Sequence, residues 1–376
     1  MTKTPRPPAP SRPPGAAIAG RATTDGTERY AERHASHFAT DYFRSFTANR
    51  LRVSSIGLGT YLGECSGDDD RGYTETVHLA LASGVSLVDT AINYRCQRSE
   101  RAVGRALSRA VREDTAARDE IVVCTKGGYI PLDDVPPATR EEYQAYVERE
   151  YFATGIATPD DVVAGGHCIA PAFLAAQIER SRANLGIDTI DVYYVHNPEQ
   201  QLDAITPAQL GTRLRAAFEM LEQQCDAGTI CAYGCATWNG LRATPGTRGH
   251  LNLSDLVAIA RDVCGDRHHF AAVQLPLNLA LTEAVRMPTQ QLGDHAVPVL
   301  EAAAELGVAV VASAALLQGK LAHHLPPTVH EALPGFSTDA QRAIAFVRSL
   351  PMVTAALVGT KSVRHLHENL AAARRA

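Results

Sequence analysis

One feature constrains this chain more than any other. From about residue 53 a short apolar run is followed by a longer helical pattern, and the pair repeats eight times. The runs are Val53–Thr60, Ser86–Ala91, Ile121–Thr125, Thr189–His196, Ile230–Ala236, Ala271–Leu275, Val308–Ala312 and Ala355–Val358. The helical patterns between and after them begin near Tyr73, Glu100, Pro171, Pro207, Leu253, Val297, Thr338 and Ser362. Eight such units over about 320 residues fit a closed barrel better than an open sheet, which commonly has five or six strands. The expectation is an α/β fold, a (β/α)8 TIM barrel forming one domain over residues 41–376, with a long insertion after strand 3 at residues 128–168.

Composition matters where it excludes. Hydrophobic residues are 45% and charged residues 20% of the chain, which rules out collagen-like, coiled-coil and wholly disordered readings. No apolar run approaches the ~20 residues of a membrane span, and the N-terminus lacks the apolar core of a signal peptide. The expected compartment is therefore the cytoplasm, with no membrane partner. Thirty-six basic against 41 acidic residues give a net charge of -5, without a basic block to track phosphates, so nucleic acid is not an expected partner. Eight cysteines with no C-x-x-C pair read as reduced thiols, and no metal site is expected. Residues 1–20 hold six prolines; they open a proline-rich segment, drawn to residue 40, that reads as a disordered arm. Nothing in the sequence gives the oligomeric state.

In barrels of this class chemistry sits at the C-terminal ends of the strands. Asp89 and Tyr94 lie at and just after the end of strand 2, Lys126 follows strand 3, and His196 ends strand 4. Singly, each has a plain reading: a turn cap for Asp89, a packing aromatic for Tyr94, a satisfied core histidine for His196. Lys126 resists such a reading, because a buried ammonium needs a partner, and only four of the 36 basic residues are lysine. Four proton-handling side chains on successive strands point to one mouth.

At these residues the chain resembles the aldo-keto reductase superfamily, over about residues 53–371. LVDTAINY (Leu87–Tyr94) with SERAVGRAL from Ser99 is similar to the segment carrying that family's aspartate and tyrosine. VVCTKGG around Lys126 resembles its lysine segment, and SRANLGIDTIDVYYVHNPE (Ser181–Glu199) the part that delivers its histidine. GTICAYGCAT from Gly228, VQLPLN from Val273 and VGTKSVRHLHENL from Val358 resemble its cofactor segments. The resemblance implies NADP(H)-dependent reduction of an aldehyde or ketone to an alcohol. Tyr94 would be the general acid, Lys126 would stabilise its anion, Asp89 would hold Lys126, and His196 would orient the carbonyl oxygen.

For the cofactor the resemblance implies Gln274 at the nicotinamide carboxamide, and Gly319 and Lys320 at the pyrophosphate. It places Lys361 and Ser362 at a 2′-phosphate, with Arg364 or His365 assisting, and Glu368 and Asn369 at the adenine. Gly59, Thr60, Thr237, Ser313 and Leu316 complete the expected cofactor set. Two departures stand out. Ser313 occupies the position where the family usually stacks an aromatic ring on the nicotinamide, and Ala236 with Thr237 replaces the usual Ser-Asn pair.

The stretch between Lys126 and Pro171 is over 40 residues, far beyond the usual two to six for a βα loop. It carries Tyr129, Tyr143, Tyr146, Tyr151, Phe152 and His167. It reads as a lid over the mouth, with Tyr129, Tyr151 and Phe152 joining Tyr61 and Trp238 in the substrate pocket; a surface excursion with its own small helix is the plainer alternative. An aromatic wall suggests a mid-sized, partly apolar carbonyl compound rather than a phosphorylated sugar. Two other functions stay open: a dehydrogenase acting on a sugar or natural-product alcohol, and a nicotinamide-binding regulatory subunit with low turnover.

Overall fold

The computed structural model of the protein describes residues 17–46 and 50–374. Eight parallel strands close on themselves: β1 (Ile56–Gly59), β2 (Leu87–Asp89), β3 (Val122–Gly127), β4 (Val192–His196), β5 (Tyr233–Ala236), β6 (Phe270–Pro276), β7 (Ala309–Ser313) and β8 (Val353–Gly359), with β8 pairing back onto β1. They read as unbroken apolar runs because both faces are covered. One face meets a ring of helices; the other fills the barrel with small and branched side chains such as Val122, Val192, Ala232, Val311 and Ala355.

The helices that return from each strand to the next are α1 (Gly67–Ala82), α2 (Arg98–Arg112), α3 (Pro171–Leu185), α4 (Pro207–Asp226), α5 (Leu253–Cys264), α6 (Val299–Leu306) and α7 (Asp339–Ser349), with α8 (Val363–Ala371) after the last strand. Their ends follow local chemistry. Ser66 caps α1 by accepting from the Asp69 amide, with three aspartates in the first turn to meet the helix dipole. Thr206 and Gln209 form a capping box at α4, and Gly186 ends α3 at φ 63°.

The expected first strand, Val53–Thr60, is two strands. Leu51–Ser54 pairs antiparallel with Phe43–Phe46, and the barrel strand starts only at Ile56. Ser54 and Ser55 make the break: the Ser54 hydroxyl donates to the Ile56 carbonyl at 2.8 Å, and the Ser55 amide to the Tyr42 carbonyl at 2.7 Å. The hairpin puts Phe46, Leu51 and Val53 into the inner core and plugs the barrel floor.

The arm drawn over residues 1–40 needs correction. Residues 1–16, which hold all six early prolines, lie outside the described residues. Residues 17–40 are structured, with a helix over Thr24–His34 capped by Thr23. Its Tyr30 is fully buried and donates to the Leu81 carbonyl at 2.6 Å, while Arg29 and Arg33 pair with Glu120 at 2.9 and 2.8 Å. The composition that disfavours order ends with the prolines.

Between β3 and α3 the insertion contains a helix, Arg140–Val147, that runs into a wide turn at Glu148–Phe152. It has its own small core, built from Ile130, Val147, Tyr151, Ala157, Cys168 and Phe173.

Candidate active site

Each proton-handling side chain reaches the mouth by a different route. Asp89 is the last residue of β2, Lys126 points inward from β3, and His196 closes β4. Tyr94 stands on the turn after β2, where Arg95, Cys96 and Gln97 all have left-handed backbones (φ 50°, 54° and 69°). Non-glycine residues in such conformations cost roughly 1–3 kcal/mol each and persist only when their surroundings over-determine them. Here Arg95 donates to the Glu64 carbonyl at 2.8 Å and to Asp70 at 2.6 Å, and Gln97 donates to the Leu132 carbonyl at 3.0 Å. The strain is held by both flanking loops, and Tyr94 is fixed with it.

Lys126 is fully buried and its ammonium donates to Asp89 Oδ1 at 2.5 Å and to the Thr90 carbonyl at 2.8 Å. Gln274 Nε2 donates to the other oxygen, Oδ2, at 2.8 Å. Every oxygen of the buried carboxylate thus has a partner, which a desolvated charge requires. The ammonium lies 5.1 Å from the centroid of the Tyr94 ring. Burial pulls the lysine toward its neutral form, but Asp89 and then Tyr94 outweigh it and hold the pKa above the ordinary lysine value. Burial raises the Tyr94 phenol above its usual value, against the pull of Lys126, so at neutral pH the hydroxyl keeps its proton. His196 is driven well below the usual histidine range, first by burial and then by Lys126 and His167, and stands neutral. Its Nδ1 has no partner.

Asp89, Tyr94 and His196 open onto one cavity of about 640 Å³, with Lys126 buried behind its lining. Of the positions expected to touch a cofactor, Gly59, Thr60, Thr237, Gln274, Ser313 and Leu316 line it, as do Gly319, Glu368 and Asn369 toward its far end. Lys320, Lys361 and Ser362 do not. Lys361 is ion-paired with Asp69 of α1, and Ser362 caps α8 through the His365 amide. Gln274 lines the cavity, yet its amide nitrogen is committed to Asp89.

Among the expected substrate contacts, Tyr61, Tyr129 and Trp238 line the cavity, whereas Tyr151 and Phe152 do not. Tyr151 is buried in the insertion's own core with Phe152 packed against it, and its hydroxyl donates to the Pro131 carbonyl at 3.2 Å. Aromatic content signalled burial there, but not against which surface.

The sequence reading missed Asn93, whose buried Oδ1 has no partner, and Gln318 and His323 on the turn after β7. Asn93 could have been found from its place beside Tyr94; the turn residues carry no periodic signal. It also missed Glu199, whose Oε1 accepts from the amides of Trp238, Asn239 and Gly240 at 2.7, 3.0 and 3.1 Å. Arg242 holds the Trp238 carbonyl from the other side at 3.0 Å. An indole that is 44% exposed therefore sits on a rigid turn.

The sequence profile of the aldo/keto reductase family matches residues 55–328. The chain is 26% identical over 200 residues to the aldo-keto reductase YhdN of Bacillus subtilis, a stretch covering 52% of this chain and 47% of that protein. It is 28% identical over 166 residues to a D-threo-aldose 1-dehydrogenase of Pseudomonas sp, covering 44% of each. The chain thus spans about half the length of the curated relatives it matches. Its fold is similar to an aldo-keto reductase of Bacillus halodurans in its holo form, with a TM-score of 0.57 and 18% identity, covering 88% of this chain and 90% of that one. An aldo/keto reductase of Klebsiella pneumoniae in complex with NADP and acetate gives a TM-score of 0.57 and 19% identity, covering 87% and 88%.

Proposed function

Because the chain belongs to the aldo/keto reductase family, we propose that it is an NADP(H)-dependent oxidoreductase that reduces an aldehyde or ketone to an alcohol, with Tyr94 as the general acid. The observation that carries this reading is the fully buried Lys126–Asp89 pair beside the Tyr94 ring. A phenol, with a pKa of about 10, is a weak proton donor toward a carbonyl oxygen unless its anion is stabilised as the proton leaves. Lys126 supplies that stabilisation at fixed distance, and Asp89 keeps Lys126 charged and aimed. The neutral His196 imidazole donates one hydrogen bond to the substrate oxygen and orients it toward Tyr94. Nothing has to reorganise when charge develops, which is the largest advantage such a site can offer.

The cavity fits a dinucleotide. It runs from the catalytic group past Thr237, whose buried hydroxyl has no partner, to Glu368 and Asn369. The turn after β7 carries left-handed backbones at Ala314, Leu317, Gln318 and Gly319 (φ 52°, 45°, 55° and 88°), the kind of backbone that presents amides to an anion. When bound, a reduced nicotinamide supplies the hydride. The structure of the Klebsiella relative with NADP supports the cofactor class. Choice of the 2′-phosphorylated form rests on Lys361, which would have to leave or share Asp69 to reach a phosphate.

For the substrate, no Arg or Lys lines the cavity among the described residues. Beside Tyr94 and His196, away from the turn after β7 whose amides are proposed to meet the dinucleotide's phosphates, a phosphorylated or carboxylated compound would need such a clamp. Tyr61, 55% exposed, and Trp238 offer apolar faces at the mouth instead, so the reading is an uncharged carbonyl compound with an apolar or ring face. The same two aromatics, and the aldose dehydrogenase among the relatives, favour a second reading in which the reaction runs toward oxidation of a sugar alcohol or lactol. NADPH and NADH fluorescence titration followed by a panel of neutral and phosphorylated aldehydes tests the proposal. Binding of NADPH with turnover of neutral compounds is expected. Absence of nicotinamide binding, or turnover confined to phosphorylated compounds, would overturn it.

A further inference from the structure

We propose that the insertion after β3 is a positioning device for His196, acting through a relay that runs Arg213–Gln201–His167 and ends on the His196 backbone. The inference rests on the reading above, in which His196 orients the substrate oxygen.

The relay fixes its own proton positions. Arg213 of α4 can only donate, and it donates to Gln201 Oε1 at 2.6 Å. That orients the Gln201 amide, so Gln201 Nε2 faces His167 Nδ1 at 2.7 Å and must donate to it. With Nδ1 accepting, the ring proton is on Nε2, which donates to the His196 carbonyl at 2.7 Å. His167 is fully buried, and burial lowers its pKa to about 4, so this tautomer stays neutral and single across the physiological range.

The approach is built into the backbone. Gly128 has φ 144°, and a Cβ there would lie 2.9 Å from the His196 carbonyl oxygen and 3.2 Å from His167 Nε2. Only glycine leaves that hydrogen bond undisturbed. The insertion closes on itself at the same point, where the Cys168 amide donates to the Gly128 carbonyl at 2.7 Å. Arg213 also donates to the carbonyls of Asp160 and Asp161 at 2.9 and 3.3 Å, so one guanidinium ties the insertion and the relay to α4.

His196 needs this support, because its own Nδ1 has no hydrogen bond to set the ring. Its placement follows from the strand end and from the rings beside it. Tyr129, also in the insertion, packs edge-on to His196 at 5.0 Å and to His167 at 4.9 Å. Tyr129 is itself anchored by Asn197, which donates to its hydroxyl at 2.8 Å, and by Gln200. Backbone and ring of the strand end are thus both held by the insertion. A misplacement of about 1 Å at such a group can cost on the order of 100-fold in rate.

Three variants test the proposal. His167→Phe removes the donor and should lower kcat by roughly 10- to 100-fold, with NADPH affinity and substrate KM nearly unchanged; His167→Gln, whose Nε2 can reach the same carbonyl, should recover much of it. In Gln201→Glu the carboxylate accepts from Nδ1–H, so Nε2 keeps its proton only in the imidazolium. The groups facing His167 are Tyr129 from the insertion, His196 from β4 and, through residue 201, Arg213 from α4. Activity of this variant should fall as pH rises through the raised His167 pKa, a step the wild type lacks. Nitrogen-15 spectra of histidine-labelled protein, assigned by loss of the His167 signal in His167→Gln, should show His167 as the Nε2–H tautomer. They should also show the His196 signals shifting in His167→Phe. This readout needs no turnover, so an inactive wild type would count against the proposed function while the relay is still decided. An Nδ1–H tautomer, an unmoved His196 signal, or equal kcat losses in the Phe and Gln variants would overturn the relay.

Discussion

The two sides of the barrel mouth are built differently. On the β2–β4 side the charged pair and the strand end are committed within the protein: Asp89 is held from two directions, Lys126 is fully buried, and the His196 carbonyl is pinned by His167. On the β5–β8 side, groups that face the proposed cofactor are unpaired or borrowed. Thr237 has a buried hydroxyl without a partner, and Lys361 is 44% exposed on a surface ion pair with Asp69. The first side has to be right before anything binds, because preorganisation is its contribution to rate. The second can exchange partners when a ligand arrives.

Breaking the first side should give the largest effects. Lys126→Met leaves Asp89 buried with only Gln274, and removing one partner of a buried pair costs about 3–5 kcal/mol. Thermal unfolding should show the loss, and carbonyl turnover should vanish with it. Tyr94→Phe is gentler on the fold, and the loss of a general acid is worth about 100- to 10,000-fold in turnover.

The second side should respond in affinity instead. Lys361→Ala should weaken NADPH more than NADH, while Asp69→Asn, which frees the ammonium, should tighten NADPH severalfold and leave NADH unmoved. Equal changes for both cofactors would show that Lys361 does not read the 2′-phosphate. The smallest effect expected is that of Ser313→Tyr: an added ring stacking at the nicotinamide end is worth about 0.5–1.5 kcal/mol. Fluorescence titration resolves that, and an unchanged affinity would mean that Ser313 already has its stacking replaced.

The contrast also explains what the sequence disclosed. Barrel strands announce themselves because burial on both faces gives unbroken apolar runs, and a buried lysine in an arginine-rich chain stands out. The places of Asp89, Tyr94, Lys126 and His196 at or just beyond the strand ends could be read for that reason. The Thr24–His34 helix was not, since only Gly26, Thr27, Tyr30 and Ala31 are buried along it, too sparse a stripe to register beside the upstream prolines. Lys361 and Asp69 are partners across 292 residues, a separation that no local pattern reports. His167 appeared in the sequence as one polar residue of a long loop; its meaning comes from Gln201 and Arg213, which the fold brings to it.

In the proposed reaction Tyr94, poised by the Lys126–Asp89 pair, is the acid of a carbonyl reduction. The most direct test is a paired measurement on wild type and Tyr94→Phe: the NADPH dissociation constant by fluorescence, and turnover of the best neutral carbonyl substrate. Dissociation constants equal within about twofold and turnover lower by at least about 100-fold in the variant are expected. A variant that binds NADPH normally and keeps most of its turnover would contradict it.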